Sequence, residues 1–90
     1  MISRRYIITG RVQGVGFRYF VYEAAQQLDI TGWVKNRFDG AVEIHAESPD
    51  AEKLSRFLTL INAGPPMSIV ENVEVRDEAG QDCTRFRITR

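Results

Sequence analysis

Apolar and polar residues alternate near the start of the chain. Tyr6, Ile8, Gly10 and Val12 fall on one side and Arg5, Ile7, Thr9 and Arg11 on the other, which predicts a strand over Arg5–Val12. At Phe17 the period changes. Phe17, Val21, Ala24, Ala25 and Leu28 recur three or four apart, with Glu23, Gln26, Gln27 and Asp29 between them, the pattern of an amphipathic helix. Two further strands, Thr31–Arg37 and Ala41–Glu47, join through Phe38-Asp39-Gly40, and Asp-Gly is a strong hairpin signal. In the second of these, Val42, Ile44 and Ala46 oppose Glu43, His45 and Glu47. Ser48-Pro49-Asp50 opens a second helix: Ser48 can cap it, Pro49 suits the first turn, and Asp50 meets the positive end of the dipole. Ala51, Leu54, Phe57, Leu58 and Ile61 form its apolar stripe, and Gly64-Pro65-Pro66 stops it. Two late strands are predicted: Ser68–Arg76 with Val73 and Val75 inward, and Thr84–Thr89 with Phe86 and Ile88 inward. A polar turn around Gly80 lies between them.

The element order is β-α-β-β-α-β with a loosely defined extra edge strand. Right-handed crossovers put both helices on one side of one sheet. The expected architecture is α+β: a ferredoxin-like sandwich with an antiparallel sheet and two helices on one face. The first strand is expected to pair with the third. The opposite face is expected to be solvated, with His45, Arg85 and Arg87 pointing to water, and Tyr6, Trp33 and Phe86 are placed in or beside the core.

Composition narrows the function. Ninety residues are expected to form one domain over 1–90. No apolar run approaches the ~20 residues that span a bilayer, and the N-terminus has no secretory pattern. A cytoplasmic address is the expectation. Twelve Lys and Arg balance twelve Asp and Glu, so nothing draws the chain to nucleic acid or an anionic membrane, and an anionic ligand has to be held locally. Cys83 is the sole cysteine, which excludes an intrachain disulfide, and its expected role is a small, partly buried side chain. One cysteine and one histidine rule out a Cys/His zinc site. His45 is read as part of a wet sheet face.

The chemistry concentrates in two loops. Gln13-Gly14-Val15-Gly16-Phe17, after the first strand, carries glycines that let successive N–H groups converge. The following helix adds its unpaired donors and dipole, and Arg18 adds a planar fork suited to phosphate oxygens. The competing reading is a tight strand-to-helix turn with Arg18 in solvent. The segment is neither a Walker loop nor a dinucleotide fingerprint. Asn36 stands at the end of the second strand. If it reaches the loop, its carbonyl can accept from a water while its amide holds a phosphoryl oxygen. The alternative is an Asn that caps the turn. Asp39 is assigned to the hairpin rather than to general-base work.

Gly10-Arg-Val-Gln-Gly-Val-Gly-Phe-Arg18, Gly32-Trp-Val-Lys-Asn36, Phe38-Asp-Gly-Ala-Val42, Gly64-Pro-Pro66 and Phe86-Arg-Ile-Thr-Arg90 closely resemble the acylphosphatase family over nearly the whole chain. The resemblance implies the ferredoxin-like fold and metal-independent hydrolysis of the carboxyl–phosphate bond without a cofactor. It implies that Arg18 binds the phosphate, that Asn36 orients the attacking water, and that Gln13 to Phe17 form the cradle. Small acyl phosphates such as acetyl or carbamoyl phosphate are the implied substrates, and a monomer is expected. Arg37 stands where some members carry a hydroxyl residue, which bears on substrate preference, and Ser48 where glycine is common. The residues agree with this chemistry. Neither motif holds a His, Cys or Ser nucleophile, no carboxylate cluster is placed for magnesium, and a carboxylate leaving group needs no strong acid. A non-catalytic phosphate or metabolite binder on the same fold is the alternative. A piece of a larger carbamoylating enzyme is a further one. RNA binding would require exposed aromatics on the central strands and a basic face.

Overall fold

The computed structural model describes residues 1–90. Its elements are β1 (Ile2–Arg11), α1 (Phe17–Gln27), β2 (Thr31–Asn36), β3 (Val42–Ser48), α2 (Ala51–Ala63), β4 (Ile69–Asp77) and β5 (Phe86–Ile88). The sheet order is β4-β1-β3-β2-β5. β1 lies between β3 and β4, antiparallel to both, and β2 runs antiparallel to β3. These four strands form the expected ferredoxin-like core, with the first strand paired to the third. The extra edge strand is β5, and it departs from the antiparallel expectation: it pairs parallel to β2, with Val34 opposite Ile88. The sheet is therefore mixed.

Register sorts the side chains. Tyr6 lies opposite Ile44, Ile8 opposite Val42, and Val34 opposite Ile44. That face packs against Phe17, Val21, Leu54, Phe57 and Ile61 of the helices, and all of these belong to one buried cluster. Tyr6 meets Phe57 edge-on at 5.6 Å between ring centroids, a favoured aromatic geometry. Asn36 shares this face, two and four residues from Val34 and Gly32, so the strand period alone turns it toward the helix layer.

Several local expectations change. Asp50, not Ser48, caps α2: its Oδ1 accepts from the Glu52 N–H at 2.9 Å. Ser48 ends β3 and exchanges hydrogen bonds with the Asp50 backbone, so Pro49 precedes the cap. Ala51 is exposed. Val75 and Ile88 do face the helix side but stay 39% and 43% exposed. They sit on the two edge strands, where the helices give out.

The largest correction concerns the other face of the sheet. His45 is fully buried, not solvated. The segment after β4 folds back across that face: Glu78 N–H donates to Ser3 carbonyl, and the N–H groups of Gln81 and Cys83 donate to Glu47. Trp33 also belongs to this face rather than to the core, stacked on His45 with Arg5 over its ring. Alternation marks these residues as pointing away from the helices, but it carries no sign of a strap 34 to 36 positions beyond Glu47. Arg85 and Arg87 are exposed, as expected.

Candidate active site

The turn between β1 and α1 is shaped by two residues in the left-handed region, Gly14 at φ 75° and Gly16 at φ 78°. Gly16 is the N-cap of α1, and no side chain caps the helix. No backbone carbonyl accepts from the N–H groups of Gly14 through Arg18. The first amide to close a helical bond is Phe20, onto the Gly16 carbonyl. A Cβ at Gly14 or Gly16 would meet nothing within 4 Å, so backbone conformation, not crowding, requires glycine there. Two left-handed residues flanking Val15 at a helix N-terminus make a concave run of donors suited to an anion.

Arg18 and Asn36 line one open cleft of about 460 Å³ with Val12, Gly14, Gly16 and Phe17. Tyr19, Ile88 and Arg90 complete it. Arg18 enters no ion pair, and its guanidinium is steadied by a long hydrogen bond from Nη1 to the Thr89 carbonyl, 3.4 Å. A cation with no carboxylate partner keeps its charge available for a ligand. Asn36 Oδ1 is buried without any protein donor. A buried carbonyl without a partner costs on the order of 1–3 kcal/mol, and such groups concentrate where a ligand or water completes the bonding. The turn-capping reading of Asn36 therefore lacks its hydrogen bond.

Gln13 does something the sequence did not announce. Its side-chain amide donates to the Arg37 carbonyl at 2.8 Å and the Ala41 carbonyl at 2.9 Å. The side chain therefore ties the glycine loop to the hairpin that follows Asn36 and does not point into the cradle. Asp39 serves the hairpin: Oδ1 accepts from the Ala41 N–H and Oδ2 from Arg37. At the rim, the Glu23 carboxylate holds the Tyr19 phenol above its ordinary pKa. Ile88, Arg90 and Tyr19 were absent from the sequence-derived site. For Ile88 and Arg90 the only signal was the terminal Phe86–Arg90 motif, because their approach to the cleft depends on β5 pairing beside β2; Tyr19 follows Arg18 on α1.

Comparison with known proteins agrees with this geometry. The Acylphosphatase family model matches residues 4–88. An acylphosphatase of Koribacter versatilis is 52% identical over 87 residues, covering 96% of this chain and 78% of that protein. The crystal structure of acylphosphatase from Bacillus subtilis superposes with a TM-score of 0.95 at 44% identity, covering all of both chains. The structure of HypF from T. kodakarensis also contains this fold, with a TM-score of 0.88 at 29% identity, where the match takes in all of this chain and 12% of that one. With a family match along nearly its whole length and one open cleft bringing Arg18 and Asn36 together with the glycine loop, the chain belongs to the acylphosphatase family, and its activity is the hydrolysis of acyl phosphates.

Proposed function

We propose that the phosphoryl group of the substrate sits in the turn, on the N–H groups from Gly14 to Arg18, with the Arg18 guanidinium on its oxygens. Gln13 contributes from the edge of this cradle, chiefly by fixing the loop to the hairpin. Asn36 holds the attacking water through its carbonyl oxygen. One observation carries the assignment: Arg18, the unpaired loop donors and the buried, unpartnered Asn36 Oδ1 border one cleft.

The chemistry asks little more of the protein. Water attacks phosphorus in line with the acyl oxygen, the P–O bond to the acyl group breaks, and the electron pair leaves with the carboxylate. A proton of the water passes to a phosphoryl oxygen. The carboxylate is a weak base and departs without a general acid. Rate then comes from holding the water in line and from donors placed where negative charge gathers in the transition state. On this reading the reaction needs no metal and no covalent phosphoenzyme, and it serves small acyl phosphates such as acetyl or carbamoyl phosphate. The protein is read as a cytoplasmic monomer acting on small molecules and not on nucleic acid, in keeping with its balanced charge.

The test is phosphate release from acetyl, benzoyl and carbamoyl phosphate in the presence of EDTA, with p-nitrophenyl phosphate as control. Turnover of the acyl phosphates with little action on the phenyl ester is expected. Tight phosphate binding with no turnover of any of the three would return the non-catalytic reading.

A further inference from the structure

On the sheet face opposite the cleft, three potential metal ligands of different chemistry come together. The ligand atoms of His45, Glu47 and Cys83 lie within 4.8 Å of one another. His45 Nε2 is 2.7 Å from Glu47 Oε2. His45 and Glu47 are buried, and Cys83 is half-buried. We propose that His45 Nε2, a Glu47 carboxylate oxygen and the Cys83 thiolate form a three-ligand site for zinc.

The surroundings are those a zinc site requires beyond its ligands. His45 Nδ1 bonds to Glu78, the carboxylate partner that fixes the tautomer and directs Nε2 at a metal. Glu78 is itself held by Arg5 Nε at 3.0 Å. Trp33 stacks on the imidazole and fixes the ring plane. The N–H groups of Gln81 and Cys83 hold the Glu47 carboxylate from the side of the strap. Backbone donors of this kind do not compete for the metal. Bond lengths of about 2.0–2.3 Å place tetrahedral zinc ligands about 3.3–3.6 Å apart, so on binding the 2.7 Å contact between His45 Nε2 and Glu47 Oε2 opens and the wider separations, up to 4.8 Å, draw in. Cys83 and Trp33 also line a cleft of about 390 Å³ on this side, so the strap end of the cluster is open to solvent.

Charge and proton balance favour a divalent ion. Binding displaces the proton shared by His45 Nε2 and Glu47 and the proton on the Cys83 thiol. A carboxylate and a thiolate then neutralise the dication within a buried site. A mixed N, O and S donor set of this size suits zinc over magnesium or calcium, which require oxygen ligands. The count of cysteines and histidines that argued against zinc left out the carboxylate that the fold supplies. The site is independent of acyl phosphate hydrolysis.

The full chain, stripped with EDTA and kept under a phosphine reductant, is titrated with Zn²⁺ against a chromophoric chelator and separately with Co²⁺. We expect one zinc per chain. The cobalt form should show a thiolate-to-metal charge-transfer band and the visible bands of tetrahedral cobalt. Cys83→Ser, at a half-buried strap position, should fold, lose the charge-transfer band and bind zinc on the order of 100-fold more weakly. Glu78→Gln should keep the band and weaken binding about 10- to 100-fold, the usual effect of removing a carboxylate behind a histidine ligand. A wild-type cobalt spectrum without thiolate character, or zinc affinity unchanged in Cys83→Ser, overturns the proposal.

Discussion

At the scale of single residues, Arg18 and Asn36 divide the work between ground state and transition state. Arg18→Lys keeps the charge but loses the planar fork, so phosphate affinity and turnover should both fall. Arg18→Ala should lower kcat by about 10²-fold or more, as loss of a strong oxyanion donor does. Its guanidinium enters no ion pair and no core contact depends on it, so thermal unfolding should stay close to that of the parent. A wild-type rate in the alanine variant would remove Arg18 from the mechanism. Asn36→Ala should lower kcat strongly while inhibition by inorganic phosphate stays near the parent value, because the loop donors and Arg18 still hold the anion. Asn36→Asp separates two roles. It keeps the acceptor but replaces the donor with negative charge beside a phosphate, so it should be no better than alanine. Rescue by aspartate would show that accepting from water is all the site needs. Equal losses of phosphate binding and kcat would make Asn36 a binding residue.

At the scale of elements, the cleft exists because two connections meet. The β1–α1 turn carries the donors, and the β2–β3 hairpin carries Asn36 at its base. Gln13 spans them with two hydrogen bonds to hairpin carbonyls. Gln13→Ala should therefore cost about 1–3 kcal/mol of stability, the sum of two ordinary hydrogen bonds. It should also reduce kcat more than it weakens phosphate inhibition, because the donors stay in place while Asn36 loses its register against them. Urea unfolding together with kcat and phosphate inhibition measures both. Unchanged kinetics with lowered stability would make Gln13 a purely structural tie. The Gln-Gly-Val-Gly segment reads in sequence as a cradle, and its glycines do adopt the conformations a cradle needs. The direction of the Gln13 side chain was not legible, since its acceptors are main-chain carbonyls that leave no mark in the residue pattern.

At the scale of the whole molecule, the sheet separates two chemistries. The helix side holds the cleft with Arg18 and Asn36. The opposite side holds a network in which Arg5 pairs with Glu43 and Glu78, and His45 bridges Glu78 and Glu47. Burial is the largest single influence and opposes ionisation of both Glu47 and Glu78, but the hydrogen bonds from His45 and the further donors together outweigh it. Main-chain donors at Glu47 and Arg5 at Glu78 add to these and hold both carboxyls below their ordinary range. Because the layers are separate, EDTA and the Cys83→Ser change should each leave kcat/KM for acetyl phosphate within about twofold of the parent, a shift below 0.5 kcal/mol by the transition-state relation. A loss of activity on chelation would place a metal in the reaction and require a different active site.

Strand and helix periods, the Asp39-Gly40 turn and the glycine-arginine motif determined the order of elements, the inward face of each strand and the glycine-loop and Arg18 side of the cleft. These features are local: each depends on neighbours within a few positions, and the chain encodes them as spacing. Tertiary structure alone decided that β5 joins parallel beside β2 and brings Ile88 and Arg90 to the cleft. It also decided that the 78–83 segment closes over His45 and converts an apparently wet strand face into a buried cluster with Glu47 and Cys83. The physical reason is that both outcomes join segments distant along the chain: β5 by main-chain pairing that almost any sequence can make, and the strap by carboxylates of Glu47 and Glu78 whose partners no local residue pattern announces.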